Sequence, residues 1–407
     1  MVASLSVALL AISFGAMWIT VVGLKTIAAD FGGVRSAPSL ATSLAWLGTS
    51  VGGVLMGRLA DWYGIRWTVI FGAVSICIGL YLSTLGQPWQ LYVGHGVFIG
   101  LLGNAGLNAP LYVYVSRWFD RRRGSALALI SSGGYVAGAL WPPIFERAIA
   151  HFGWRATMMA YGVLVIAFIV PIALIMLRPP PEVPHFAGGT AHAAAPKVFG
   201  WPPNVVFVLL ALASFFCCVT MSIPQAHLVA LCSDLGISAT RGAAMLSLLL
   251  AVGFLCRQMW GAISDRIGAL LTLLASSLLQ TAAMTGFLLT QDEAGLFAVA
   301  GAFGVGFSAL IPAYVLAIRE YFPAHEAGWR VPSLLLLSGT GMATGGWLGG
   351  ALYDHFGYYA PAFALGVGSN LLNFAIIAIL VARQRFTGLR ERGDPKQPST
   401  AGSAIPA

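Results

Sequence analysis

The sequence predicts an all-α, polytopic membrane protein of twelve transmembrane helices in two six-helix halves. Three observations carry that reading. First, the 407-residue chain is 58% hydrophobic and only 9% charged, with a mean hydropathy of +0.82; a soluble core cannot hide that much apolar surface. Second, the apolar runs have the length of helical spans, roughly 20 residues, and lack the ten-residue alternation of barrel strands. Third, the longest break, "RPPPEVPHFAGGTAHAAAPKVFGWPPN", divides the runs six and six.

Cutting at charged and turn-rich interruptions places the spans near 3–29, 40–60, 68–86, 91–116, 125–147 and 156–177, then 205–231, 242–263, 269–290, 295–318, 331–352 and 360–382. The first run begins almost at once, has no basic segment before it and is followed by many more, so it reads as an uncleaved helix. The expected organisation is an N-terminal bundle (1–177), a central cytoplasmic loop (178–204), a C-terminal bundle (205–382) and a disordered tail (383–407) whose basic start gives way to Pro, Ser and Ala. Pro110 and the Pro142-Pro143 pair are expected to kink their helices. The five cysteines lie in or near spans without zinc-site spacing and read as small buried hydrophobes. No cofactor or metal is implied.

With both termini cytoplasmic, 16 of the 22 basic residues fall on the inner side, four outside and two, Lys25 and Arg257, within spans. The positive-inside rule therefore selects this orientation. The net charge of +8 is a topology signal, since no soluble module presents it to a nucleic acid. The Arg-rich "RWFDRRRG" loop is read as an inner-face contact with lipid headgroups. Short loops suggest a bacterial inner membrane.

The two halves repeat. "GRLADWYGIRW" follows the second span and "GAISDRIG" the eighth, each with Gly, three residues, Asp and a glycine turn. "IFERAIAHFGWRATMMAYG" and "GGALYDHFGYYAPAFALG" form a weaker pair after spans five and eleven. Internal duplication in a membrane protein is the architecture of secondary transporters, with the site between the halves. Gly57 and Gly261 are expected to let helices approach closely. Asp61 and Asp265, with the adjacent Arg66 and Arg266, are expected to form gating contacts with helix N-termini or loop arginines.

"GRLADWYGIR" resembles the signature loop of the major facilitator superfamily, and the twelve spans with a degenerate second copy extend the resemblance over the chain. "RWFDRRRGSALALISSGGYVAGAL" and "GLKTIAADFG" look like the loop with fifth helix, and the first-helix end, of the monocarboxylate transporter and oxalate/formate antiporter relatives. "LLLAVGFLCRQMWGAISDRIG" looks like their eighth helix. The resemblance implies that Arg257, at the position of their helix-eight arginine, contacts the substrate carboxylate, and that Lys25 matches their first-helix lysine. It also exposes a departure, because animal relatives carry an aspartate one turn before that arginine and Gly253 stands here.

The residues themselves point the same way. An intramembrane arginine costs between roughly 2.5 and more than 10 kcal/mol, so it must face a partner or a polar cavity. Arg257 lies eight residues before Asp265, about 12 Å at helical rise, and its planar fork matches a carboxylate. Lys25 reads either as a mouth residue that attracts an anion and exchanges a proton, or as a side chain snorkelling outward. None of the 14 acidic residues sits at the centre of a span, which favours organic anions over cations as cargo. His227 is a second candidate for the proton. Asn104, Asn108 and Tyr112 share one side of the fourth helix if it is α-helical, facing a cavity or a neighbouring helix. Tyr314, Tyr135 and Gln258 are further pocket candidates.

The expected function is alternating-access transport of small organic monocarboxylates in symport with a proton. The alternatives are anion exchange without a proton and metabolite or drug efflux. The partners implied are the anion, the proton and the bilayer; an accessory protein is neither implied nor excluded. An enzyme would need a clustered acid/base or metal set, and none is visible.

Overall fold

The computed structural model describes residues 2–118, 129–177 and 198–393. The expectations for most of the Arg-rich loop, for the central loop up to Lys197 and for the tail beyond Gly393 lie outside them. Among the described residues, ten helices are long and apolar enough to cross a membrane.

The N-terminal half begins with α1 (Val2–Val22) and the short α2 (Leu24–Asp30), then α3 (Ser36–Tyr63) and α4 (Ile65–Ser83). The fourth span is composite: α5 (Pro88–Val93), a π-helical stretch over Gly94–Asn104, and α6 (Ala105–Trp118). It is followed by α7 (Gly133–Met176), whose 44 residues are two helices meeting at Gly153, where φ is 76°. The C-terminal half contains α8 (Pro203–Asp234), α9 (Ala239–Ile267), α10 (Ala269–Leu289), α11 (Glu293–Phe307), α12 (Leu310–Tyr321), α13 (Ala324–Phe356) and α14 (Ala360–Gly393). Counting α7 as two crossings, α11 with α12 as one, and α13 as a further helix of spanning length gives the expected twelve.

Both copies of the repeated motif end their helix on a left-handed glycine, Gly64 (φ 83°) and Gly268 (φ 80°). A residue with a Cβ is strained there, and the chain must turn at once into the next span. The weaker repeat uses the same device at Gly153 and Gly357.

Two features differ from the sequence reading. The fourth span widens into a π-helix because its glycines remove side chains from the packed face. A Cβ on Gly100 would lie 2.5 Å from the Ala45 carbonyl oxygen and 2.8 Å from its Cα, so α3 lies directly against this backbone. The π-helical stretch ends at Asn104, and Asn108 and Tyr112 follow in α-helical α6; Asn104 meets Ser13 and Tyr112 meets Ser131. Helical dihedrals also continue through Pro142-Pro143; Gly153 is the residue that departs from them.

The halves meet along two related seams. The second span of each half packs against the fifth of the other: α3 against α13, and α9 against the first part of α7. The functional groups lie along these seams.

Candidate functional site

Arg257 projects from α9 across the second seam and is 8% exposed. Its Nη1 donates to the Ser131 carbonyl and hydroxyl oxygens, both at 3.0 Å, and its Nη2 donates to the Tyr135 hydroxyl at 3.0 Å. The guanidinium carbon lies 4.4 Å from the Tyr135 ring centroid, and Nε reaches the Ser308 carbonyl at 3.4 Å. No carboxylate lies within ion-pair distance of Arg257 among the described residues. Neutral oxygens and a π-face hold the cation in place while leaving its charge uncompensated.

Tyr135 is fixed from behind by stacking on Phe307, centroids 5.5 Å apart. That stack explains Gly253. A Cβ there would lie 2.9 Å from Phe307 Cζ and 3.3 Å from Tyr135 Cδ1, so the two rings occupy the space an aspartate would need. Tyr112 joins the same cluster by hydrogen-bonding Ser131.

Arg257 opens onto a cavity of about 180 Å³, whose other lining residues include Gln258, Trp260, Asp265, Pro312 and Leu316. A single water takes roughly 10–15 Å³, so the space suits a small organic molecule. One side is apolar, from Trp260, Pro312 and Leu316, and the other is polar, with Arg257 and Asp265 both on the lining.

The remaining expected site residues fall elsewhere. Tyr314 is fully buried inside the C-terminal half and donates to Asn373 Oδ1, in a network that continues to Ser277 and Asn370. Asn104 accepts from Ser13 at 2.6 Å within the N-terminal half, and Asn108 is partly exposed. A Cβ on Gly57 or Gly261 would meet nothing within 4 Å. Gly57 is partly exposed and Gly261 exposed. Asp61 and Asp265 are likewise exposed. Among the described residues Asp265 makes no hydrogen bond or ion pair; the N-terminal amide of Ala269 bonds the Glu320 carboxylate instead, at 3.3 Å. Arg66 donates twice to the Leu177 carbonyl, capping the last helix of its own half, and Arg266 is exposed.

The opposite end of the seam is shut. Asp234, at the end of α8, accepts from Lys25 at 3.0 Å and receives a two-pronged contact from Arg35 at 2.5 and 2.7 Å. Lys25 and Arg35 belong to one half and Asp234 to the other. Asp354 adds a second crossing by accepting from the Arg35 and Ser36 amides at 2.7 and 2.8 Å, which caps the first turn of α3. The Arg35 guanidinium also lies 3.6 Å over Tyr353. Burial opposes its charge, but hydrogen bonding to Asp234 and the field of Tyr359 outweigh that and raise its pKa above the usual guanidinium value. Burial raises the Tyr359 phenol too, against the pull of Arg35. Below this end lies a void of about 20 Å³ between Trp18, Trp46, Ser43 and Gln225.

Sequence reasoning missed Ser131, Arg35, Asp234 and Asp354. Ser131 and Tyr135 lie four residues apart in "SSGGY", a helical spacing that could have flagged them together. The Asp234 contacts span 199 and 209 residues and leave no local signal.

Six-plus-six spans, closed across the halves at one end and holding a buried cation beside a cavity between them, define a membrane carrier of the secondary-transporter class. Residues 6–328 and 208–405 match the family model described as Major Facilitator Superfamily. The chain belongs to that superfamily and is an integral multi-pass membrane transporter. It is 27% identical over 360 residues to the MFS-type transporter pynF of Aspergillus niger, covering 84% of this chain and 80% of that one. It is also 26% identical over 342 residues to the MFS transporter asaE of Aspergillus flavus, covering 83% and 75%. Among solved structures, a bacterial homolog to the human lysosomal transporter Spinster, in an inward-facing conformation, superposes with a TM-score of 0.67 at 16% identity over 98% of each chain.

Proposed function

We propose that this transporter carries small organic monocarboxylates by alternating access, with Arg257 as the carboxylate ligand and with proton symport. One observation carries the reading: a buried guanidinium, fixed by Ser131 and Tyr135 from the other half, has no carboxylate within ion-pair distance among the described residues and faces a cavity of substrate size. A substrate carboxylate supplies the missing counter-charge. Because Arg257 and its two anchors lie on opposite halves, rocking the halves changes the coordination, and a ligand shifts the equilibrium only through such a difference.

The distribution of basic residues supports cytoplasmic termini, so the cavity end faces the cytoplasm and the Lys25–Asp234–Arg35 cluster seals the outside. Lys25 then serves the seal, and attracts the anion once the seal parts. Relatives come from fungi and, at 27% identity over 248 residues, from Bacillus subtilis, so the proposed location is the cell membrane of either kind of organism.

Two specific observations favour the alternatives. Gly253 leaves no acid one turn before Arg257 to carry a proton, which favours anion exchange without one. The apolar wall of Trp260, Pro312 and Leu316 suits the body of a larger metabolite, and one relative, 26% identical over 218 residues, is the agnestins efflux protein of Paecilomyces divaricatus.

Uptake of labelled lactate, pyruvate, formate and an aromatic acid into proteoliposomes, with and without an inward proton gradient, separates these readings. Gradient-stimulated uptake is the expected result. Uptake that requires internal anion establishes exchange, and transport confined to large apolar acids establishes the efflux reading.

A further inference from the structure

The closed end contains a fully buried histidine that neither the substrate cavity nor the ion-pair cluster uses. His227 lies on α8 with Nε2 2.8 Å from the Gly346 carbonyl oxygen and Nδ1 3.2 Å from the Tyr359 hydroxyl. A carbonyl only accepts, so Nε2 carries a proton; Nδ1 is then the acceptor, taking the Tyr359 hydroxyl proton. Both ring nitrogens are satisfied by the neutral imidazole.

A second proton on this ring has no acceptor in place. Nδ1–H would point at a hydroxyl now donating to it, and Tyr359 would have to turn its own proton elsewhere. The turned hydroxyl meets Arg35, whose guanidinium lies 5.2 Å from the Tyr359 ring centroid and which also hydrogen-bonds that side chain. The charged and titratable groups around the ring are Arg35 at the head of α3, Asp234 at the end of α8, Tyr353 and Asp354 at the end of α13, and Tyr359 before α14, with Lys25 behind Asp234. Arg35 is nearly buried, and Asp234 and Asp354 already bind other donors across the seam. An imidazolium here faces a like charge through a shared phenol, and solvent relieves it only if the seam opens.

We propose that His227 is the site where the coupling proton binds: its protonation releases Arg35 from Asp234 and Tyr353 through Tyr359 and opens the outer end of the transporter. The sign follows from linkage. The closed seam takes only the neutral ring, whereas a solvated histidine in the open state titrates near about 6.5, so acid draws the equilibrium toward the open form. Acid outside would thus present an open, cationic mouth to an external anion. The proposal rests on the proton-coupled form of the function given above.

The test needs no substrate, so its failure and that of the carboxylate assignment are distinguishable. Nitroxide labels at Val34→Cys and Tyr358→Cys, exposed positions on either side of the seam, report its width in nanodiscs by pulsed electron resonance. The partly exposed Cys77 and Cys256 are replaced by serine. The expected result is an increase of about tenfold in the wide-to-narrow ratio from about pH 8 to about pH 5.5. His227→Gln, which can bond both neighbours but cannot titrate, should be flat. If that variant does not fold, His227→Asn, which cannot titrate either, takes its place and should also be flat. A flat wild type overturns the proposal, as does a His227→Gln or His227→Asn seam that still opens in acid. If the response survives in His227→Gln and disappears in Asp234→Asn, the proton acts on the carboxylate instead.

Discussion

Arg257 and Tyr135 stand on opposite halves, 122 residues apart, and meet twice: through a 3.0 Å hydrogen bond to the phenol oxygen and through the ring face, 4.4 Å from the guanidinium carbon. One contact fixes direction, and the other stabilises charge without neutralising it. Tyr135→Phe keeps the ring and removes the acceptor. The loss of one hydrogen bond to a charged group, at most about 1.5–3 kcal/mol, predicts a KM for the acid raised by up to roughly 10- to 150-fold with little change in maximal rate. Tyr135→Ala also removes the stack on Phe307 and should lower the melting temperature as well. Uptake kinetics and thermal unfolding of both variants check the pair; equal effects on KM and melting would contradict the division of roles.

Gly253→Asp tests whether the missing aspartate can be restored. The added side chain collides with Phe307 and Tyr135, an overpacking cost of about 1–3 kcal/mol. The variant should melt lower and transport less, and its uptake should gain no stimulation by a proton gradient beyond that of wild type. A stable variant with increased gradient-driven uptake would show that the stack yields easily.

At the closed end the two cations are unequal. Lys25 is 42% exposed at its side chain and Arg35 only 8%. An exposed pair contributes about 0–1 kcal/mol, while removing one partner of a buried pair costs about 3–5 kcal/mol. Arg35→Gln should therefore open the outer end far more than Lys25→Met. The readout is the rate at which a membrane-impermeant thiol reagent modifies Ser43→Cys, a position in the narrow void beneath the cluster. Equal rates in the two variants would assign the seal to other contacts.

Tyr314→Phe separates fold from site. Tyr314 belongs to the Asn373–Ser277–Asn370 network inside the C-terminal half. Leaving buried Asn373 short of a donor costs about 1–3 kcal/mol. The variant should melt lower with an unchanged KM; a raised KM at unchanged stability would return Tyr314 to the substrate site.

The parts of the molecule legible in sequence are those with a local physical cause. Gly64 and Gly268 end helices where the repeated motif requires a turn, and Arg257 stands out because an isolated cation in an apolar span needs a partner. The partner itself was harder to read. Ser131 and Tyr135 look like ordinary small and aromatic residues until α7 lies against α9, and Asp234 reads as a helix-end acid until α2 and α3 bring Lys25 and Arg35 to it. The π-helix that precedes Asn108 and Tyr112 has glycines packed on α3, a tertiary contact with no helical period of its own. Gly57 and Gly261 had a local rationale, but their neighbours depend on which end of the seam is closed.

The central claim is that Arg257 binds a carboxylate, and the most direct measurement is equilibrium binding of an aromatic acid and its neutral amide to wild type and Arg257→Gln. A charge-assisted hydrogen-bonded contact contributes about 1.5–3 kcal/mol, so wild type should prefer the acid by roughly 10- to 150-fold and the variant should bind both ligands equally weakly. An Arg257→Gln protein that still prefers the acid to the same degree would place the carboxylate elsewhere and contradict the account.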